Sequence, residues 1–200
     1  MKVAIRVVLT RIPDSWGWML PDLRTRLLGF TILVAAVDIV WRPSWLGLSL
    51  GNVRAQLLFA ALAAPVLFVA AMFVQLALAR RRGAISVPAG AGDASFQAAF
   101  YLLNGPLEEA VFRGLLQGGL GALWMPLGLV VGTATYVGYH RLEWPWAETL
   151  ATALVGIPAA LAFWLLPGPP SLLGVSIAHI AATSGFLGPG PYLLKKLGFV

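Results

Sequence analysis

Residues 56–79 read QLLFAALAAPVLFVAAMFVQLALA. No Asp, Glu, Lys or Arg interrupts the run, which lies between Arg54 and the triplet Arg80, Arg81 and Arg82. At about 1.5 Å of rise per residue, a helix of this length crosses the roughly 30 Å hydrocarbon core of a bilayer. Five more apolar runs accompany it: Leu27–Val40, Phe96–Gly119, Trp124–His140, Trp146–Leu166 and Ser171–Gly188. The composition agrees. Of 200 residues, 59% are hydrophobic and 11% charged, against about 45–50% and about 25% in soluble domains. The mean hydropathy is +0.83. A soluble globular domain and a disordered chain are both excluded on these grounds. The absence of cysteine excludes a disulfide framework, a thiolate metal site and a cysteine protease. The fold class expected is all-α: a polytopic membrane helix bundle of about six transmembrane helices. Residues 27–200 form one transmembrane helical domain. Met1 to Arg26 precede it as an interfacial segment lying on the membrane.

The basic residues set the orientation. Lys2, Arg6, Arg11, Arg24 and Arg26 lie in the tail, and Arg80–Arg82, Arg141, Lys195 and Lys196 in alternate loops. Only Arg42 and Arg54 fall on the other side. That asymmetry puts both termini in the cytoplasm. It also accounts for the basic excess by topology, so no nucleic-acid partner is expected. Trp16, Trp18, Trp41, Trp45, Trp124, Trp144, Trp146 and Trp164 fall at or near span ends, where an amphipathic ring meets both lipid and water. Asp38 precedes Arg42 by four residues and reads as a helix-end ion pair. Glu143 and Glu148 read as solvated or interfacial, and Ala89–Asp93 as a flexible loop. The partners implied are membrane lipids. Nothing in the sequence fixes an oligomeric state.

Ionisable groups inside a bilayer are costly, about 2.5–3.5 kcal/mol each on insertion scales. Glu108, Glu109 and Arg113 nevertheless occupy the third span, His140 ends the fourth, and His179 lies within the sixth. Glu109 and Arg113, four apart, share a helix face and can pair. Glu108 points about 100° away, and no local partner for it is evident. A spare carboxylate with two imidazoles on other helices is a set that activates water or binds a metal. Tyr136 stands one turn before His140, and Thr183 one turn after His179. Both can present a hydroxyl to the same face as the imidazole.

The segment Asn104-Gly-Pro-Leu-Glu-Glu-Ala-Val-Phe-Arg-Gly114 resembles the EExxxR motif of the CAAX-protease and bacteriocin-processing (abortive infection) family, to which the type II CAAX prenyl endopeptidases belong. Tyr136-Val-Gly-Tyr-His140 stands where that family has FxxxH, and His179-Ile-Ala-Ala-Thr183 where it has HxxxN. The resemblance implies a glutamate-type or metal-dependent intramembrane endopeptidase. Glu108 with His140 would activate water, and His179 with Thr183 would stabilise the oxyanion. Glu109, Arg113 and Asn104 would support the site. It leaves two versions open: one without a cofactor, and one in which Glu108, His140 and His179 hold zinc. The metal-free version is preferred, because the sequence reveals no partners for ligating histidines. The implied substrate is a membrane-associated peptide or lipidated protein, and the implied location a bacterial or archaeal plasma membrane. Two departures stand out. Tyr136 adds a hydroxyl to the family ring, and Thr183 replaces the family amide with one shorter donor. The rival readings are a non-catalytic membrane scaffold of the same fold and a small proton-coupled transporter. The second usually shows paired halves, and no internal repeat is visible.

Overall fold

The structure is a computed structural model that describes residues 5–200; Lys2 of the basic tail lies outside them. The chain is almost wholly helical, and each apolar run folds as a helix. Strand β1 (Arg6–Thr10) leads into α1 (Ile12–Asp22), and a π-helical turn, Leu23–Leu27, joins it to α2 (Leu28–Trp41). After a short turn come α3 (Val53–Arg82) and β2 (Ala84–Pro88). Then α4 (Ala91–Glu109) continues through π-helical turns at Ala110–Gly118 into α5 (Gly119–Leu123). The rest is α6 (Met125–Tyr139), α7 (Trp146–Ala151), α8 (Ala153–Leu165), α9 (Leu173–Phe186) and α10 (Pro189–Lys196).

Two helical stretches are long and apolar enough to cross a membrane, α3 (Val53–Arg82) and Trp146–Leu165, which is α7 and α8 taken together. The first is the more informative. The core helix of a soluble protein is mostly buried, yet only 22% of the most apolar window of α3 is buried within the protein. Leu58, Leu62 and Val66 point outward at 59%, 65% and 66% exposure. The outer faces of α2, with Ile32 and Ile39, and of α6, with Val130, are exposed and apolar too. Such a surface matches hydrocarbon rather than water.

α9 crosses α3 and α4 at close range, and glycine makes both crossings possible. A Cβ on Gly185 would sit 2.1 Å from the Phe68 carbonyl oxygen of α3, and one on Gly105 would sit 3.0 Å from Ile180 Cγ1 of α9. Small residues at a helix interface are what membrane packing favours. The larger core gathers Leu67, Phe112, Tyr136, Val155, Phe163 and Val175 from α3, the π-helical turns, α6, α8 and α9.

Three local expectations differ from the structure. The tail contains a strand, β1, paired parallel with β2 from Arg6↔Ala84 to Thr10↔Pro88. Ile85 and Val87 of β2 are buried against Met72, Leu76 and Leu194, so a strand too short to show in the helical pattern is fixed by its burial. Residues 91–93 are the first turn of α4 rather than part of a flexible loop. Asp93 Oδ2 accepts from the Gly90 N–H at 2.9 Å and Asp93 Oδ1 from the Ile12 N–H at 2.9 Å. Asp38 and Arg42 do not pair through their side chains. Arg42 adopts the left-handed conformation (φ 43°) that ends α2, and leaving the helix there takes its side chain off the Asp38 face.

Candidate active site

The tail docks on α4. Met19 packs with Phe100 and Tyr101, the Trp16 ring meets Phe96, and the Trp18 ring meets Phe100 edge-on. Gln97 Nε2 donates to Ser15 Oγ at 2.9 Å. This docking brings the end of the tail to Glu108, two and more turns further along α4. A cavity of about 1150 Å³ opens there, lined by Arg26, Glu108, Tyr136, His140, His179 and Thr183 among others. Its lining also includes the polar Thr10, Gln75, Ser86 and Gln97.

The two neighbouring glutamates face different surroundings. Glu109 is fully buried, and its Oε2 accepts from Arg113 Nε at 3.3 Å, as the four-residue spacing predicts. Arg113 Nη1 reaches Gln117 Oε1 at 3.4 Å, and Gln117 Nε2 donates to the Ala160 carbonyl at 2.7 Å. The other Glu109 oxygen, Oε1, lies 2.7 Å from His179 Nδ1. Glu108 turns toward the cavity. Its Oε1 is taken by Arg26 Nη1. Its Oε2 is buried without a hydrogen-bond partner. That oxygen lies 3.5 Å from His179 Nε2 and 3.9 Å from His140 Nε2.

Both rings are oriented from behind. His179 Nδ1–H donates to Glu109, and His140 Nδ1–H donates to the Tyr136 carbonyl at 2.8 Å. These partners assign the tautomers and leave each Nε2 facing Glu108. The structure thus supplies the second layer of contacts that the sequence did not reveal, and so removes the stated reason for preferring a metal-free site. Donor type and ring anchoring suit zinc. Among the described residues, however, no group of three or more His, Cys, Asp or Glu side chains is gathered closely enough to hold a metal ion as it stands. The trio would have to close in to bind one.

Of the residues expected at the site, Glu108, His140 and His179 come together. Asn104 is present one turn before Glu108, and its Oδ1 accepts from Arg26 Nη2 at 2.7 Å. Thr183 lines the cavity, but its hydroxyl bonds to none of the trio. The residue that sequence reasoning missed is Arg26, read there as one of several tail cations. Asp22 grips it twice, Oδ1 to Nε at 2.6 Å and Oδ2 to Nη2 at 2.5 Å. The Asp22–Arg26 spacing of four is a visible signal of that pair. The contact with Glu108, across 82 positions of sequence, has no such signal. Glu148 also differs from expectation. It is buried, at 5% exposure, and pairs with Arg82 Nη1 at 2.9 Å, because α7 tucks it against the end of α3.

Residues 91–184 match the family model described as Type II CAAX prenyl endopeptidase Rce1-like. This stretch of the chain is similar to that family. The match bears out the resemblance read from the three motifs and covers Glu108, Glu109, Arg113, Tyr136, His140, His179 and Thr183. The matched stretch spans just under half of the chain. Arg26 lies outside it. No curated protein and no solved structure gives a significant match.

Proposed function

We propose that the chain is an intramembrane endopeptidase of the CAAX-protease type, in which a water activated by Glu108 and His140 attacks a peptide bond. The observation that carries this reading is the convergence of three acceptors, Glu108 Oε2, His140 Nε2 and His179 Nε2, on one side of a large cavity. A buried carboxylate oxygen without a partner is costly as structure. It is useful where a water must be held and deprotonated.

The steps balance as a hydrolysis. Glu108 Oε2 takes a proton from the water while His140 Nε2 orients it. The hydroxide adds to the scissile carbonyl carbon, and the carbonyl oxygen becomes an oxyanion on the His179 side of the site. Glu108 then returns the proton to the amide nitrogen, the C–N bond breaks, and an amine and a carboxylic acid leave. Arg26 holds Oε1 so that Oε2 is the oxygen presented. Glu109 holds His179 in place. Zinc, held by Glu108, His140 and His179, would supply a Lewis acid that makes the same water more acidic.

In this reading the chain has six spans with both termini cytoplasmic and works as an integral, multi-pass protein of a bacterial or archaeal plasma membrane. Its substrates are membrane-associated peptides or lipidated proteins, and its outer surface meets lipid. The test is a mass-spectrometric screen of membrane-anchored and lipidated peptides with the purified protein and its Glu108→Gln variant. Products formed by the wild type alone are expected. Identical product lists from the two proteins, with a folded variant, overturn the reading and favour the scaffold. Loss of products on chelation, restored by zinc, selects the metal version.

A further inference from the structure

Two positions depart from the motif pattern on which the resemblance rests, and the structure sets them side by side at one site. Tyr136 carries a hydroxyl where the pattern has only a ring. Thr183 lacks the amide that the pattern supplies. Thr183 lines the cavity without bonding to the trio. The Tyr136 hydroxyl lies 3.4 Å from His179 Nε2, inside the same cavity.

The ring is fixed on every side. Tyr136 is 1% exposed. Phe112 meets it edge-on with centroids 5.4 Å apart, and His140 does the same at 4.8 Å. The Arg113 guanidinium lies 4.9 Å from its centroid. Gly156 makes room for it, since a Cβ there would come within 2.8 Å of Tyr136 Cδ1. A donor held this firmly costs no reorganisation when charge develops beside it.

The tautomers of the neutral rings leave a place for such a donor. His179 gives its Nδ1–H to Glu109, so a neutral ring offers only a lone pair at Nε2 and cannot donate to an oxyanion. His140 is in the same position, with its Nδ1–H on the Tyr136 carbonyl. The Tyr136 O–H, whose contact with His179 is long and weak, is a hydrogen free to swing to a new acceptor.

We infer that the Tyr136 hydroxyl donates the hydrogen bond that stabilises the tetrahedral oxyanion, in the place of the amide that Thr183 lacks. The hydroxyl keeps its proton throughout, so the balance of the reaction is unchanged. The inference rests on the protease reading above and assigns Tyr136 as a further catalytic residue.

The experiment uses the full chain in detergent or liposomes. Its probe is an internally quenched peptide with a farnesylated cysteine four residues from its C-terminus. Glu108→Gln runs in parallel, so that Glu108-dependent cleavage reports the protease reading separately. Tyr136→Phe removes one oxygen and restores the pattern's ring. It is expected to lower kcat by ~10²–10³ with KM and melting temperature little changed. Thr183→Asn placed in the Tyr136→Phe background is expected to recover at least about tenfold, the order of one oxyanion donor partly regained. A Tyr136→Phe enzyme that cleaves at the wild-type rate overturns the inference and leaves the protease reading standing. A loss that tracks melting temperature and is not relieved by Thr183→Asn overturns it as well.

Discussion

Glu108 and Glu109 are adjacent in sequence, and they head two unlike networks. The Glu109 network is wholly buried and mostly local, and within it Arg113 Nη2 finds no hydrogen-bond partner. Arg113 and Gln117 follow at intervals of four on one helix, Gln117 is tied to the Ala160 carbonyl, and none of the three side chains is accessible. The Glu108 network is open and assembled from afar. It takes Arg26 and Asp22 from the tail, Asn104 from α4, His140 from the end of α6 and His179 from α9, and it keeps one carboxylate oxygen unbonded toward a cavity. The first arrangement is what a membrane helix needs in order to bury charge. The second is what chemistry needs, a reactive atom left unsatisfied on a rigid frame. His179 touches both, bonded to Glu109 on one side and facing Glu108 on the other.

The comparison predicts opposite consequences for the two arginines. Arg113→Ala should leave the buried Glu109 carboxylate without its cation and held only by His179, a loss of about 3–5 kcal/mol for a broken buried pair. The expected outcome is a large fall in the yield of folded protein and in melting temperature in detergent. Arg113→Ala with Glu109→Gln should recover part of that loss, because the uncompensated charge is then gone. A single Arg113→Ala variant that melts normally would break the distinction between a structural and a chemical network.

The Glu109 network was legible in the sequence because it obeys helix periodicity: Glu109 and Arg113 share a face by spacing alone. The helical fold of the apolar runs was legible too, each resting on a long, mostly apolar stretch. The meeting of Glu108, His140 and His179 was legible only through the motifs, since residues on separate helices carry no spacing rule that joins them. Arg26 was not legible at all. Its contact depends on how the tail docks through Trp16, Trp18 and Met19 on α4, a matter of side-chain packing rather than pattern. The β1–β2 pair escaped for a related reason. Five residues alternating once or twice cannot be told from a loop until a partner strand is known.

Arg26 tests the open network. Arg26→Ala removes the cation from Glu108 Oε1 and from Asn104, while the tail keeps its anchors on α4. We expect turnover to fall by roughly 10–10², with melting changed much less than in Arg113→Ala. Arg26→Lys should rescue poorly, because one ammonium cannot reproduce a fork that meets Asp22, Asn104 and Glu108 together. Full rescue by Lys would show that Arg26 acts as a bare charge and does not orient Glu108.

The pair Arg82–Glu148 supplies the intermediate case. Its acid is buried like Glu109, but the Arg82 side chain is 42% exposed, and its Nη2 donates to Gln75 Oε1. If burial of the whole network sets the cost of breaking it, Arg82→Ala should destabilise far less than Arg113→Ala. Water can reach Glu148 once the arginine is gone, and an exposed pair is worth on the order of 1 kcal/mol or less. A shift of a few degrees in melting temperature, weaker in high salt, is the expected result. A loss as large as that of Arg113→Ala would mean that this wall of the cavity is as closed as the helix interior. The contrast between the two glutamate networks would then rest on which oxygen faces the substrate, and burial would have no part in it.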